Sequence, residues 1–342
     1  EYLLLDSTDV LDRPYIKFSN LIWGDVDCEE DFSKLCNYIY PRLRRKENPF
    51  DYENLVSYLK VIFPNEQIEN EVRITQIGGM SNKNFKVVKG CSEYVLRVPG
   101  NGSEGMVVRS NEEQNSMQAC KMGINPPVRY FNAKNGIKLA DYVKNAETLN
   151  GATIQRTSNM DKIVKIFQTL HHSHVRFGNE FNVFNEIFSY EHLLEKANGR
   201  MYEGYEPVRE KVFRLEEYLN GLGVSVKPCH NDLVAENFLK AEDGTIYLID
   251  WEYSGMNDPM WDIAALFLEN NFTDENQDYF LSHYFEGKEP ANARKKIFAY
   301  QILMDYLWTV WTCIKEAQGD DFGTYGMDRY TRAINNLKKI EL

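Results

Sequence analysis

The feature that most constrains this chain is a short polar run, Cys229-His230-Asn231-Asp232-Leu233-Val234-Ala235-Glu236-Asn237, followed shortly by Tyr247-Leu248-Ile249-Asp250-Trp251-Glu252. Between them, Phe238-Leu239 and Ile246 to Ile249 read as the strands of a small β insert. Phosphoryl transfer needs a carboxylate beside the acceptor hydroxyl and oxygen ligands for the Mg²⁺ that bridges the phosphates. Asp232 is therefore expected to orient or deprotonate a hydroxyl, and Asn237 and Asp250 to ligate Mg²⁺, which prefers hard oxygen donors. Taken singly, a turn and a strand cap would explain either half. Their order around one hairpin favours kinase chemistry.

Composition narrows the setting. At 342 residues and 43% hydrophobic, the chain can bury a full core and is expected to hold more than one lobe. No apolar run reaches the roughly 18 residues of a membrane-spanning helix. The start, Glu1-Tyr2-Leu3-Leu4-Leu5-Asp6, lacks the basic residues of a signal peptide and an initiator methionine, so a processed or truncated chain is expected. Cys28, Cys36, Cys91, Cys120, Cys229 and Cys313 are scattered without a C-x-x-C pair, as expected of free thiols in the cytoplasm. A net charge of -12 argues against a nucleic-acid binder. It suits a cationic small molecule, and many cytoplasmic proteins equally well.

Three segments are expected. Residues 1–70 form an N-terminal extension with helices over Glu30 to Arg45 and Tyr52 to Ile62, the second stopped by Pro64. Residues 71–144 read as a small strand-rich lobe: Val72-Arg73-Ile74, Asn84 to Val88, Tyr94 to Val98, a helix from Asn111 to Met122, then extended segments at Val128 to Phe131 and Ile137 to Val143. Residues 145–342 read as mainly helical, with three-to-four spacing over Met160 to His172, Asn185 to Lys196 and Pro207 to Leu219. Further helices are expected from Asp262 and from Ala293 to Ala317.

His230-Asn231-Asp232-Leu233 through Asn237, with Ile249-Asp250-Trp251-Glu252-Tyr253, resembles the choline/ethanolamine kinase branch of the aminoglycoside-phosphotransferase-like kinases, in particular the bacterial choline kinases. Protein kinases usually carry Arg between the His and Asp and Phe-Gly after the later Asp, where this chain has Asn231 and Trp251-Glu252. The resemblance spans about residues 70 to 320. It implies an α+β, bilobal, protein-kinase-like fold with a small antiparallel-sheet N-lobe that binds ATP and a mainly helical C-lobe. Gly78-Gly79-Met80-Ser81-Asn82-Lys83-Asn84 is similar to the family's phosphate loop, in which small residues let backbone amides approach phosphates. Arg97 occupies the slot where the family's strand arginine clamps phosphate. Its helix partner is expected to be Glu112, with the adjacent Glu113 as the alternative. Leu139-Ala140-Asp141-Tyr142-Val143 matches the hinge whose backbone meets adenine.

The acceptor must be named by its pocket. A quaternary ammonium donates no hydrogen bond and is bound by ring faces and carboxylates. Trp308 and Trp311, three apart on one helix, can present two indoles on one side, although aromatic residues at helical spacing are usually core. The resemblance implies that they wall a choline site. It also places Glu269 near the ammonium and Asp262 behind the catalytic loop, with Glu252, Tyr253 and Asp305 as further members of the pocket. Ethanolamine or another amino alcohol, an aminoglycoside acceptor and a non-catalytic nucleotide-binding protein are the rival readings. His171 and His174 share a helical face but lack a visible fourth ligand, so a structural role is expected. Ile22 to Phe32 looks like the closing segment of sugar-nucleotide-type nucleotidyltransferases, which points to a remnant of a bifunctional protein.

Overall fold

The computed structural model describes residues 48–78, 82–100 and 107–341. The nucleotidyltransferase-like segment, the helix expected over Glu30 to Arg45, and Gly79 and Ser81 of the expected phosphate loop lie outside these residues. The chain divides into two compact units, one ending at Gly100 and the other starting at Asn101.

In the first unit, helix α1 (Tyr52–Ile62) buries Leu55, Val56 and Leu59, the apolar positions of its three-to-four spacing. The cap residue Phe63 and then Pro64 end it, and a single turn, α2 (Ile68–Glu71), leads on. Strands β1 (Val72–Gly78), β2 (Asn82–Lys89) and β3 (Ser92–Pro99) form an antiparallel meander. Phe85, Val87, Leu96 and Val98 fill its buried face. The β1–β2 register shifts between Gln76 and Gly78, and Gly78 takes φ +140°, a backbone open to glycine and strained for any other residue.

The second unit opens with α3 (Arg109–Lys121), closed by Gly123 at φ +75°. The hairpin of β4 (Val128–Asn132) and β5 (Ile137–Asp141) and the short β6 (Glu147–Thr148) follow. Helices α4 (Thr157–His171), α5 (Val183–Lys196) and α6 (Tyr205–Leu222) each bury one stripe. Strand β7 (Lys227–Cys229), a 3₁₀ turn (Ala235–Asn237), β8 (Phe238–Lys240), β9 (Ile246–Leu248) and β10 (Gly255–Asn257) carry the expected insert. The chain closes with α7 (Pro259–Glu269), α8 (Asp274–Tyr284), α9 (Ala293–Ala317) and α10 (Tyr325–Leu337). Helix α9 is apolar on nearly every side because α5, α7 and α10 pack around it. Helix α7 starts at Asp258, whose side chain accepts the Met260 N–H while Pro259 takes the first helical position.

No helix among the described residues is long and apolar enough to cross a membrane. Cys91, Cys120, Cys229 and Cys313 are free thiols.

Candidate active site

Strand β7 pairs with β10 through Gly255 and Cys229, so the segment leaving β7 runs beside the one entering β10. Between them the β8–β9 hairpin is in register at Phe238 and Leu248, and the Ile249 N–H donates to the Asn237 carbonyl at 2.9 Å. This pairing brings Asp232, Asn237, Asp250 and Glu252 to one place. Asn231 and Asp250 sit at φ +71° and +67°, the left-handed region that asparagine and aspartate tolerate better than branched residues. Asn231 is tied on every side. Its N–H donates to Asp262 Oδ1 at 2.8 Å, its Nδ2 to the Tyr253 carbonyl at 2.9 Å, and its Oδ1 accepts from Asn257 Nδ2 at 3.0 Å.

His230 is fully buried, and its tautomer follows from its partners. Nδ1 accepts the Asp232 N–H at 3.3 Å, so Nε2 carries the proton and donates to the Ile249 carbonyl at 2.9 Å. Burial holds its pKa below the ordinary value. Trp251, wholly buried, packs edge-on against the His230 ring at 4.8 Å and donates its indole N–H to the Leu248 carbonyl at 3.0 Å. Burial, with the like charges of Asp250, Glu252 and Glu269, pushes the Asp232 carboxyl up to about 8. Asn237 Nδ2 donates to the Asp232 carbonyl at 2.9 Å and to its Oδ2 at 3.3 Å, which opposes that rise.

Asp262 lies behind the loop, as the sequence suggested. Oδ2 accepts the His230 N–H at 2.9 Å and meets His171 Nε2 at 3.0 Å. The other His171 nitrogen meets the Tyr284 hydroxyl at 2.9 Å, whereas His174 is exposed. His171, Cys229 and Asp262 place possible ligand atoms within 4.8 Å of one another. Burial pushes the Cys229 thiol well up, however, and the hydrogen bonds already engage the other two groups. A structural role fits them.

Helix α3 approaches the same loop with a polar face. Arg109 Nη1 donates to Glu112 Oε2 at 2.9 Å and to Glu252 Oε2 at 3.0 Å. Glu112 also pairs with Lys138 at 3.2 Å and is 1% exposed, whereas Glu113 is only half-buried. Asn115 Nδ2 reaches the Ser254 carbonyl at 3.1 Å. Arg109 escaped the sequence analysis; its place three residues before Glu112 was the one available signal.

The expected aromatic pair is part of a longer run. Tyr253 meets Trp308 edge-on at 6.0 Å, Trp308 meets Trp311 at 5.9 Å, Trp311 meets Phe322 at 5.1 Å and Phe322 meets Tyr325 at 6.4 Å. Trp308 and Trp311 are half-buried, so core packing does not consume them. Asp305 on α9 is fully buried and is gripped at both oxygens by Arg332, at 2.7 and 2.6 Å, and by Arg329 at 3.2 Å. Glu269, at the end of α7, is hydrogen-bonded through Oε2 to Arg329. Arg329 lies 4.6 Å from the Tyr325 ring centre. Phe322, Tyr325, Arg329 and Arg332 were not identified from sequence.

The donor set fits Mg²⁺. With Asn237 Nδ2 turned to Asp232, the amide oxygen is the atom left for a cation, and Asp250 adds a carboxylate. The mutual repulsion that raises the Asp232 pKa is what a bound cation relieves. Of the expected nucleotide groups, Asn82 opens β2 opposite Pro99, and Arg97 lies in β3 opposite Asn84; both are buried. Asp141 ends β5 with its carboxylate held by Arg129 at 2.7 and 2.6 Å, and Val143 follows two residues later.

Comparison with known proteins gives one answer. The sequence profile of the choline/ethanolamine kinase family matches residues 74–334. Protein LicA of Haemophilus influenzae is 31% identical over 299 residues, covering 84% of this chain and 87% of that protein. The crystal structure of choline kinase LicA from Streptococcus pneumoniae is 41% identical with a TM-score of 0.74, covering 83% of this chain and 99% of that one. A LicA structure in complex with AMP is 41% identical with a TM-score of 0.74, covering 84% and 99%.

Proposed function

This chain belongs to the choline/ethanolamine kinase family, and from that premise we propose that it transfers the γ-phosphoryl group of ATP to the hydroxyl of choline, giving phosphocholine and ADP. The observation that carries the reading is the run Tyr253–Trp308–Trp311–Phe322–Tyr325 with the Glu269 carboxylate near it. A trimethylammonium group offers charge without N–H donors, and a wall of aromatic rings with one carboxylate matches it. A primary ammonium wants several hydrogen-bond acceptors, so ethanolamine fits this wall less well. The LicA complex with AMP supports ATP as the donor.

Asp232 accepts a hydrogen bond from the choline hydroxyl, aims its oxygen at the γ-phosphorus and takes its proton as the new P–O bond forms. The Asn237 side chain holds the Asp232 carboxylate in that orientation. Asn237 Oδ1 and Asp250 would hold Mg²⁺, which when bound neutralises charge on the phosphates. Arg97, Asn82, Gly79 and Ser81 are the family's phosphate-binding positions, and the backbone at Asp141 and Val143 meets adenine. Glu252 acts as the anchor for Arg109.

The test is ADP release with Mg-ATP, comparing choline with ethanolamine, with Trp308→Ala alongside. Wild type should prefer choline, and the variant should raise the choline KM roughly tenfold or more while leaving the ATP KM unchanged. Equal use of both amines, or an unaltered choline KM in the variant, would send the search to another acceptor.

A further inference from the structure

Glu269 is divided between two tasks. Oε2 accepts from Arg329, whereas Oε1 is shut away from the surface and receives no hydrogen bond among the described residues. A buried carboxylate oxygen left without a donor keeps charge that a cation brought beside it offsets, even one without N–H bonds. Arg329 is itself 5% exposed and is shared between Glu269 and Asp305, which Arg332 holds from the other side. Its guanidinium also lies against the Tyr325 ring, the last member of the aromatic run.

We propose that Arg329 is a positioning residue that sets headgroup selectivity: it takes one oxygen of Glu269, leaves the other to the substrate cation, and holds the Tyr325 ring in the wall. The inference rests on the reading that Glu269 faces the acceptor's ammonium. With Arg329 in place the pocket offers ring faces and a single carboxylate oxygen, which satisfies a group without N–H bonds. Without Arg329, Glu269 presents both oxygens and a full unbalanced charge, and Tyr325 loses its support. Both changes favour a primary ammonium, which can donate to each oxygen, over a trimethylammonium. Arg332 provides the contrast, since it grips Asp305 without touching Glu269.

The experiment measures kcat and KM for choline, ethanolamine and ATP in wild type, Arg329→Gln, Arg329→Lys, Arg332→Gln and Glu269→Gln. Arg329→Gln should lower the choline-to-ethanolamine ratio of kcat/KM by roughly tenfold, the worth of one charge-assisted hydrogen bond, with the ATP KM unchanged. Arg329→Lys, which keeps the charge and one contact, should recover part of the ratio and serves if the glutamine variant does not fold. Arg332→Gln should lower thermal stability and leave the ratio as in wild type. If both Arg329 variants change the two acceptors equally while Glu269→Gln still raises the choline KM, the selectivity role is wrong and the acceptor site stands. If Glu269→Gln alters neither KM, the reading of the acceptor site falls, and this inference with it.

Discussion

Asp262 accepts the backbone N–H of Asn231 at 2.8 Å, and through this bond a buried carboxylate at the start of α7 fixes the left-handed turn that precedes Asp232. Asp262→Ala leaves the His230 and Asn231 amides without acceptors, each costing about 1–3 kcal/mol. Asp262→Asn keeps one acceptor and should cost less. Urea unfolding should rank the stabilities wild type, Asn, Ala, with kcat falling in the same order; unchanged midpoints in both variants would remove the bracing role.

Asp232→Asn preserves an acceptor for the Asn237 side chain, so the loop should keep its shape. Loss of the proton acceptor should lower kcat by roughly 10² to 10⁴. Nucleotide affinity, measured by calorimetry, should stay within about twofold of wild type on this assignment, because Asp232 is placed at the acceptor hydroxyl. Parallel loss of both would assign Asp232 to nucleotide binding instead.

Arg109 compensates two buried carboxylates with one nitrogen. The side chains of Glu112 and Glu252 are 0% and 5% exposed. Arg109→Ala should destabilise the protein by about 3–5 kcal/mol, because two carboxylates lose a buried partner. Adding Glu252→Gln should recover part of that loss, and the double-mutant cycle gives the coupling directly. Strict additivity would mean that the pair contributes nothing.

The buried, neutral His230 makes stability depend on pH. Its native pKa is depressed by burial below the ordinary histidine value of 6.5, so between the two values the unfolded chain binds a proton that the native chain does not. The contribution is complete above pH 6.5 and is lost as pH falls through the native pKa. The urea midpoint of wild type should therefore decline from pH 7 towards pH 5 more steeply than that of His230→Gln. Parallel curves would show that His230 titrates alike in both states.

The catalytic loop and the hairpin after it were legible because their residues are close in sequence and their chemistry needs oxygen donors at fixed intervals. Helix α9 was legible from Ala293 to Ala317 because a long apolar-rich run free of Pro and Gly reads as helix even where burial on most sides leaves no single stripe. Helices α8 and α10 were not read, although α10 has the sharpest apolar stripe of the late segments, through Tyr330, Ala333 and Leu337. Polar residues such as Asn335 and Asn336 dilute that stripe to the eye. Sequence could not show that Asp305 is committed to Arg329 and Arg332, which lie one helix later, or that His171 answers to Asp262 rather than to His174. Such pairings are set by how helices pack, and local spacing carries no trace of them. Nor could sequence show that Glu112 is buried against Arg109 and Lys138 while Glu113, one residue along α3, lies at the margin.

The tryptophans of the second unit fall into two optical populations. Trp251 and Trp261 are sealed in the core, at 0% and 1% exposure, while Trp308 and Trp311 stand half open to solvent with their indoles crossed at 84°. Ultraviolet excitation will therefore give a blue-shifted emission that reports the integrity of the fold and a red-shifted emission from the open pair. A cation entering between the open indoles perturbs only the second. With Trp23, outside the described residues, replaced by Phe, the chain carries its own unlabelled fluorimeter for the acceptor pocket, with a built-in reference against unfolding.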